Sequence, residues 1–125
     1  MRGNFSKRDP DENVLDVRLI ELIALPEKFD RKRVQFIGFL TLLPEGHAIY
    51  LHREDFQRHL LRHAIWINIP ADLTLQQQRE LGMRYVICLG EFRASFRGHM
   101  KAFSGSVTNV ERLDAWFEES TLPTE

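Results

Sequence analysis

The sequence predicts a mainly β fold with flanking helices, organised as a small closed barrel of five strands. Three observations carry that expectation. The stretch Lys32–Leu43 enters through basic residues and then runs through β-branched, aromatic and aliphatic side chains, with a single glycine, Gly38, in its middle. Met83–Phe92 repeats the pattern, with Gly90 placed just before an aromatic residue. An interior glycine weakens a strand and marks a bend or a close backbone approach, and corners of that kind let a small sheet close on itself. Third, the predicted elements follow the order strand, strand, strand, helix, strand, strand.

Residues 1–13 are polar and charged, are interrupted by Pro10, and read as a flexible leader. From Asp16, the expected N-cap, Val17, Leu19, Ile20, Leu22 and Ile23 recur at helical spacing. Pro26 ends this helix, because proline excludes its predecessor from α geometry. Lys28–Arg33 is a charged turn into the first long strand. Pro44-Glu45-Gly46-His47 is a turn signal before a second strand, Ala48–Leu51. Arg53–His63 is polar, with Phe56, Leu60 and Leu61 spaced for one or two helical turns. The third strand, Ala64–Ile69, alternates Ile65, Ile67 and Ile69 on the core face with Trp66 on the other, and Pro70 stops it. Asp72–Gly82 has helix-forming composition with Gly82 as C-terminal cap. The fourth strand is Arg84–Phe92, Ala94–His99 is a hairpin tip around Gly98, and Met100–Val110 is the fifth strand. Leu113–Glu118 reads as a short acidic helix. The organisation expected is therefore a leader over 1–13, a barrel domain with an N-terminal helix over 14–112, and an acidic C-terminal helix and tail over 113–125.

Composition narrows the function classes. One domain's worth of chain, 125 residues at 43% hydrophobic and 28% charged, can bury a core without staples. Cys88 is the only cysteine, so an intramolecular disulfide and a cysteine-based metal cage are excluded. Between Ile87 and Leu89 in a strand, Cys88 reads as a small buried hydrophobe. The N-terminal stretch carries no signal-peptide core and no window approaches a membrane span, so the expected location is the cytoplasm. The net charge of -1 is unevenly spread. Residues 1–30 hold five basic and seven acidic side chains, residues 31–101 eleven and six, and residues 102–125 one and five. A mildly basic centre between acidic ends can steer a partner. It falls short of the strongly basic domain of a dedicated nucleic-acid binder.

The residues Lys32-Arg33-Val34 leading to Gly38-Phe39-Leu40, and Tyr85-Val86 leading to Gly90-Glu91-Phe92, form one rhythm with Gly98-His99-Met100, Ser104-Gly105 and Asn109-Val110. In this the chain resembles small bacterial OB-type proteins, mostly of unassigned function, over roughly residues 16 to 112. Arg31 stands where that rhythm has glycine. The resemblance implies a five-stranded Greek-key barrel with a helix between strands 3 and 4. It implies no reaction, because folds host many functions.

Three sets of residues invite a functional reading. Tyr50 and Trp66 are expected on the outward face of the sheet, where aromatics anchor protein interfaces. Arg53, Arg58 and Arg62, with Asp55, would supply orientation and on-rate. The stretch from Phe92 to Phe103 interleaves cations and rings, and Arg93, Phe96, Arg97 and Lys101 could hold phosphates and stacked bases of a single strand. His59 and His63, four apart, would share one helical face as zinc ligands do, but no HExxH pattern or third ligand accompanies them. Serines near His99 sit in no nucleophile elbow, the carboxylate pairs Glu54-Asp55 and Glu118-Glu119 point apart, and no phosphate-binding glycine pattern occurs. The sequence therefore predicts a non-catalytic module with no cofactor or metal, a monomer or weak homodimer that docks a partner protein. An immunity or inhibitor role toward a toxin is the concrete form of that reading. Single-stranded nucleic-acid binding through residues 92–103 is the alternative.

Overall fold

Three strands of ten or eleven residues set the architecture of this chain. The computed structural model describes residues 13–44, 46–97 and 101–116. In order these form β1 (Leu15–Asp16), α1 (Leu19–Ala24), α2 (Pro26–Phe29), β2 (Arg33–Leu43), β3 (Gly46–Tyr50), α3 (Arg53–Gln57), a 3-10 turn (Leu61–His63), β4 (Ala64–Ile67), α4 (Leu75–Leu81), β5 (Arg84–Arg93) and β6 (Ser106–Ala115). The six strands make one mixed sheet in the order β1-β2-β3-β4-β6-β5, and β2 also pairs with β5. Five strands thus form a ring in which β4 and β6 run parallel and the other neighbours antiparallel. The sixth, β1, adds two residues in parallel to Val34 and Gln35. No helix among the described residues is long and apolar enough to cross a membrane.

The main core draws on every strand of the ring through Phe36, Ile49, Ile67, Phe92 and Val107, with Leu19 and Leu22 from α1 and Leu81 from α4. Ile65, Ile67 and the half-buried Ile69 belong to it, as the alternation predicts, while Trp66 packs in a second cluster. Gly38 and Gly90 are required for space. A Cβ on Gly38 would meet Ile49 and the carbonyl oxygen of Tyr50, and one on Gly90 would meet Val107 and the carbonyl oxygen of Thr108. Gly38 falls on β2 between the part that pairs with β1 and the part that pairs with β3. Gly90 sits at the irregular register between β5 and β6, where Leu89 pairs with Arg112 but Glu91 with Thr108.

Several local expectations are corrected. Asp16 does not cap a helix. It lies in β1, accepting a hydrogen bond from Gln35 Nε2 at 3.0 Å, and α1 starts three residues later with Glu21 Oε1 accepting from the Arg18 N–H at 2.8 Å. Pro26 ends one helix and opens the next, since its missing N–H costs nothing in a first turn. α4 begins at Leu75, capped by Thr74 rather than starting at Asp72, because Thr74 and Gln77 cap each other reciprocally at 3.0 and 2.8 Å. The left-handed residue after α4 is Met83 (φ 62), while Gly82 is extended. Leu113–Ala115 are the end of β6 and not the start of a C-terminal helix, because they pair with Val86–Cys88. The fifth ring strand correspondingly runs Ser106–Ala115, displaced from the Met100–Val110 expected. Residues 1–12 of the expected leader, residues 98–99 of the expected hairpin tip with Met100, and residues 117–125 of the expected C-terminal helix and tail lie outside the described residues.

Candidate functional site

The residues expected to anchor a partner occupy the outer side of β3 and β4, and the chain covers that side itself. Tyr50 is 5% exposed, its ring 5.5 Å edge-on from Phe56 of α3, and burial pushes its phenol pKa up. Trp66 is half-buried, with Phe103 edge-on at 5.6 Å and His47 stacked at 6.2 Å, and its indole N–H donates to Asn68 Oδ1 at 3.1 Å. Phe39, Ala48, Ala64 and Phe103 complete this second cluster. Arg53 holds its guanidinium 5.3 Å over the Phe39 ring, and its backbone N–H donates to the Tyr85 hydroxyl at 3.0 Å. Arg58 and Arg62 are exposed; the Arg62 carbonyl accepts from Ser104 Oγ at 2.6 Å, which ties the 3-10 turn to the Phe103 segment. Tyr50 is therefore a core residue, since two phenylalanines hide a face that the alternation alone leaves open.

The four residues proposed for nucleic acid are only partly gathered. Arg93 and Phe96 line one cleft of about 260 Å³ with Asn68, Ser95, Ser106 and Thr108. Phe96 is 51% exposed, whereas Arg93 is half-buried and paired with Glu91 at 3.0 Å. The Ser106 hydroxyl is buried without a hydrogen-bond partner among the described residues. Arg97 and Lys101 are exposed and do not line the cleft.

The histidine pair is corrected outright. α3 ends at Gln57, His59 adopts a left-handed φ of 58, and His63 lies in the 3-10 turn, so no helical face carries both. His63 Nδ1 lies 2.9 Å from Asp55 Oδ1, and His52 approaches the other oxygen of the same carboxylate at 3.4 Å. Among the described residues no group of three His, Cys, Asp or Glu side chains could hold a metal ion.

Sequence reasoning missed a concavity beside α1. A groove of about 560 Å³ lies on the outer side of β2 and β5, walled by the chain entering α1. Its apolar lining includes Val17, Ile20, Ile37, Leu51 and Ile87, and its polar lining includes Asp16, Arg18 and His52. Ile37 and Ile87 are directly paired across β2 and β5. Ile20 is 49% exposed and Ile37 36%. No protein-family model, curated protein or solved structure matches this chain. The groove therefore has to be judged on its own chemistry. Two exposed isoleucines meeting in a concave wall differ from singly scattered surface residues, which need no explanation. The signal was present in β2: Val34, Phe36 and Leu40 alternate inward, which puts Ile37 outward.

Proposed function

We propose that this chain is a non-catalytic OB-type module that docks a partner protein through the groove between α1, β2 and β5. The observation that carries this reading is the groove itself, an apolar concavity with Ile20 and Ile37 both substantially exposed. Pockets with apolar walls and a few polar groups are where ligands and partner segments bind. The occupant that fits is an apolar segment of another protein flanked by a carboxylate. Arg18, exposed beside Ile20, makes no side-chain ion pair among the described residues and would receive that carboxylate.

The connectivity of the five-strand ring and the placing of α4 between its third and fourth strands support the OB-type part of the reading. In OB barrels the outer side of ring strands 2 and 3 is the usual ligand surface. Here Phe56 and Phe103 fill it, which favours a docking surface elsewhere. An immunity or inhibitor role toward a toxin, exercised in the cytoplasm, is the concrete form that the resemblance suggests. Affinity capture with the tagged chain is expected to recover one partner in stoichiometric amount. Ile37→Glu and Arg18→Glu should each lose it while circular dichroism stays native. Recovery of the same partner by both variants, or no stoichiometric partner with the unmodified chain, refutes the reading.

A second reading rests on the cleft that joins Arg93 and Phe96, a cation beside an exposed ring as single-strand binding requires. It expects salt-dependent binding of a short oligonucleotide that Phe96→Ala weakens. No binding at low salt removes it.

A further inference from the structure

β6 pairs along one side with β5 except at the bulge over residues 109–111, and among the described residues its other side is mostly without a strand partner. Along one side it runs against β5 from Ser106 to Ala115. Along the other, β4 reaches only Ser106 and Val107, and among the described residues no strand pairs beyond them. An exposed edge is a template for another strand unless something guards it.

The hydrogen-bonding phase of that edge follows from one bond. The Trp116 N–H donates to the Tyr85 carbonyl at 2.9 Å, so Trp116 faces β5. Groups alternate along an antiparallel strand. Asp114 and Arg112 therefore also face β5, while Ala115 and Leu113 direct their N–H and C=O groups to the open side. The side chains alternate too. Leu113 packs into the main core, and Arg112 and Asp114 are exposed on the outer side, Arg112 Nε lying 2.8 Å from Asp114 Oδ2.

From these facts we infer that two copies of this chain pair antiparallel through their β6 edges, with Leu113 opposite Leu113 of the second copy. Only registers that place odd-numbered residues opposite odd-numbered ones match the outward N–H and C=O groups. Moving the centre one residue back sets Arg112 against Arg112, and moving it one forward sets Asp114 against Asp114. Like charges directly opposite are destabilising, whereas opposite charges and apolar pairs stabilise. The register centred on Leu113 sets Arg112 against Asp114 of the other copy, twice by symmetry. A two-fold contact must be self-complementary in this way. The four charges then form one cluster across the junction, and the two sheets become continuous.

About five residues of each strand take part, so the dimer is weak, and sedimentation has to span about 10 µM to 1 mM of the full chain. The unmodified chain is expected to pass from monomer to dimer over that range. The amides of Leu113 and Ala115 should gain protection from hydrogen exchange at the high end. Arg112→Asp and Asp114→Arg each turn two attractive pairs into repulsive ones and should weaken association about tenfold, and the double variant should recover it. Circular dichroism checks that each variant folds. A chain that stays monomeric throughout, with Leu113 and Ala115 exchanging freely, overturns the inference and leaves Glu111, Arg112 and Asp114 as guards of the edge. Dimerisation indifferent to both single reversals overturns it as well.

Discussion

Replacing Gly38 by alanine tests whether β2 and β3 approach each other as closely as the ring requires. A Cβ built there collides with Ile49 Cγ2 and lies 2.9 Å from the Tyr50 oxygen and 3.0 Å from Leu19 Cδ2. The Ile49 methyl belongs to a β-branched, fully buried side chain and has little room, whereas the Leu19 side chain can turn. The Tyr50 oxygen cannot, because Phe39 and Tyr50 are partners in the β2–β3 ladder. Forcing one extra methyl into a packed site costs about 1 to 3 kcal/mol, and a backbone obstacle puts this case near about 3. Alanine gives back about 0.5 to 1 kcal/mol through the smaller entropy of its unfolded chain. The net loss is about 2 kcal/mol, which for a chain of this length lowers the melting temperature by about 8 °C. Gly82→Ala is the control. Gly82 is extended at φ -64 and ψ 144, and a Cβ would stand 3.3 Å from the Gln78 oxygen and 3.9 Å from Leu42 Cδ1. That variant should melt at or slightly above the unmodified chain. Thermal denaturation of both, followed by circular dichroism, decides. A Gly38→Ala chain that melts with the control refutes the close approach, and with it the explanation of how the ring closes.

Other expectations follow from single sites. Arg31 is left-handed at φ 66 in the turn before β2, so Arg31→Gly should raise stability by about 0.5 to 1 kcal/mol, read as a higher denaturant midpoint at unchanged slope. Phe103→Ala opens the covered face and should cost about 3 kcal/mol, with a red shift of the emission from Trp66, which Phe103 touches edge-on. Burial holds the Cys88 thiol pKa far above its ordinary value of 9.0, so a disulfide reagent should react with Cys88 only after unfolding. The sign of the linked pH effect is fixed. The folded value is the raised one, so its contribution is intact below about pH 9 and is lost as pH climbs beyond, and Cys88→Ala should flatten that decline in a pH series of denaturation curves.

The parts of this fold that were legible in the sequence are those where one local signal acts alone. Glycine within an apolar run marked both close approaches, and alternation separated Ile65 and Ile67 from Trp66. Errors arose where two signals compete for the same residues. Asp16 has the chemistry of a helix cap, but pairing with β2 and a bond from Gln35 take it into a strand. Leu113–Ala115 have no strong strand composition, and only the partner Val86–Cys88 makes them one. The turn at Gly82-Met83 shows a related limit, since glycine was expected to take the left-handed position that Met83 occupies. For the candidate site, period-two reading placed Tyr50 and Trp66 on one face correctly. It could not say that Phe56 and Phe103, 47 residues apart in sequence, would both fold over it.

That covering separates the two functional readings in space and makes them independently testable. The groove at Ile20 and Ile37 belongs to α1, β2 and β5, whereas the cleft at Arg93 and Phe96 lies where β4, β5 and β6 meet, and the two share no lining residue. Changes at sites without shared partners act additively. Ile37→Glu should therefore abolish capture of a partner protein and leave oligonucleotide binding unchanged, and Phe96→Ala should do the reverse. Both substitutions alter side chains that are more than a third exposed, so neither removes a core contact on which the ring depends. If either variant changed both activities, the surfaces would have to be coupled through the fold. The natural place to look would then be the β2–β5 ladder, in which Arg33 pairs with Glu91 at one end and Ile37 with Ile87 further along. Glu91 is also the ion-pair partner of Arg93. A second pass with Glu91→Gln would test that route, because it loosens Arg93 without touching the groove.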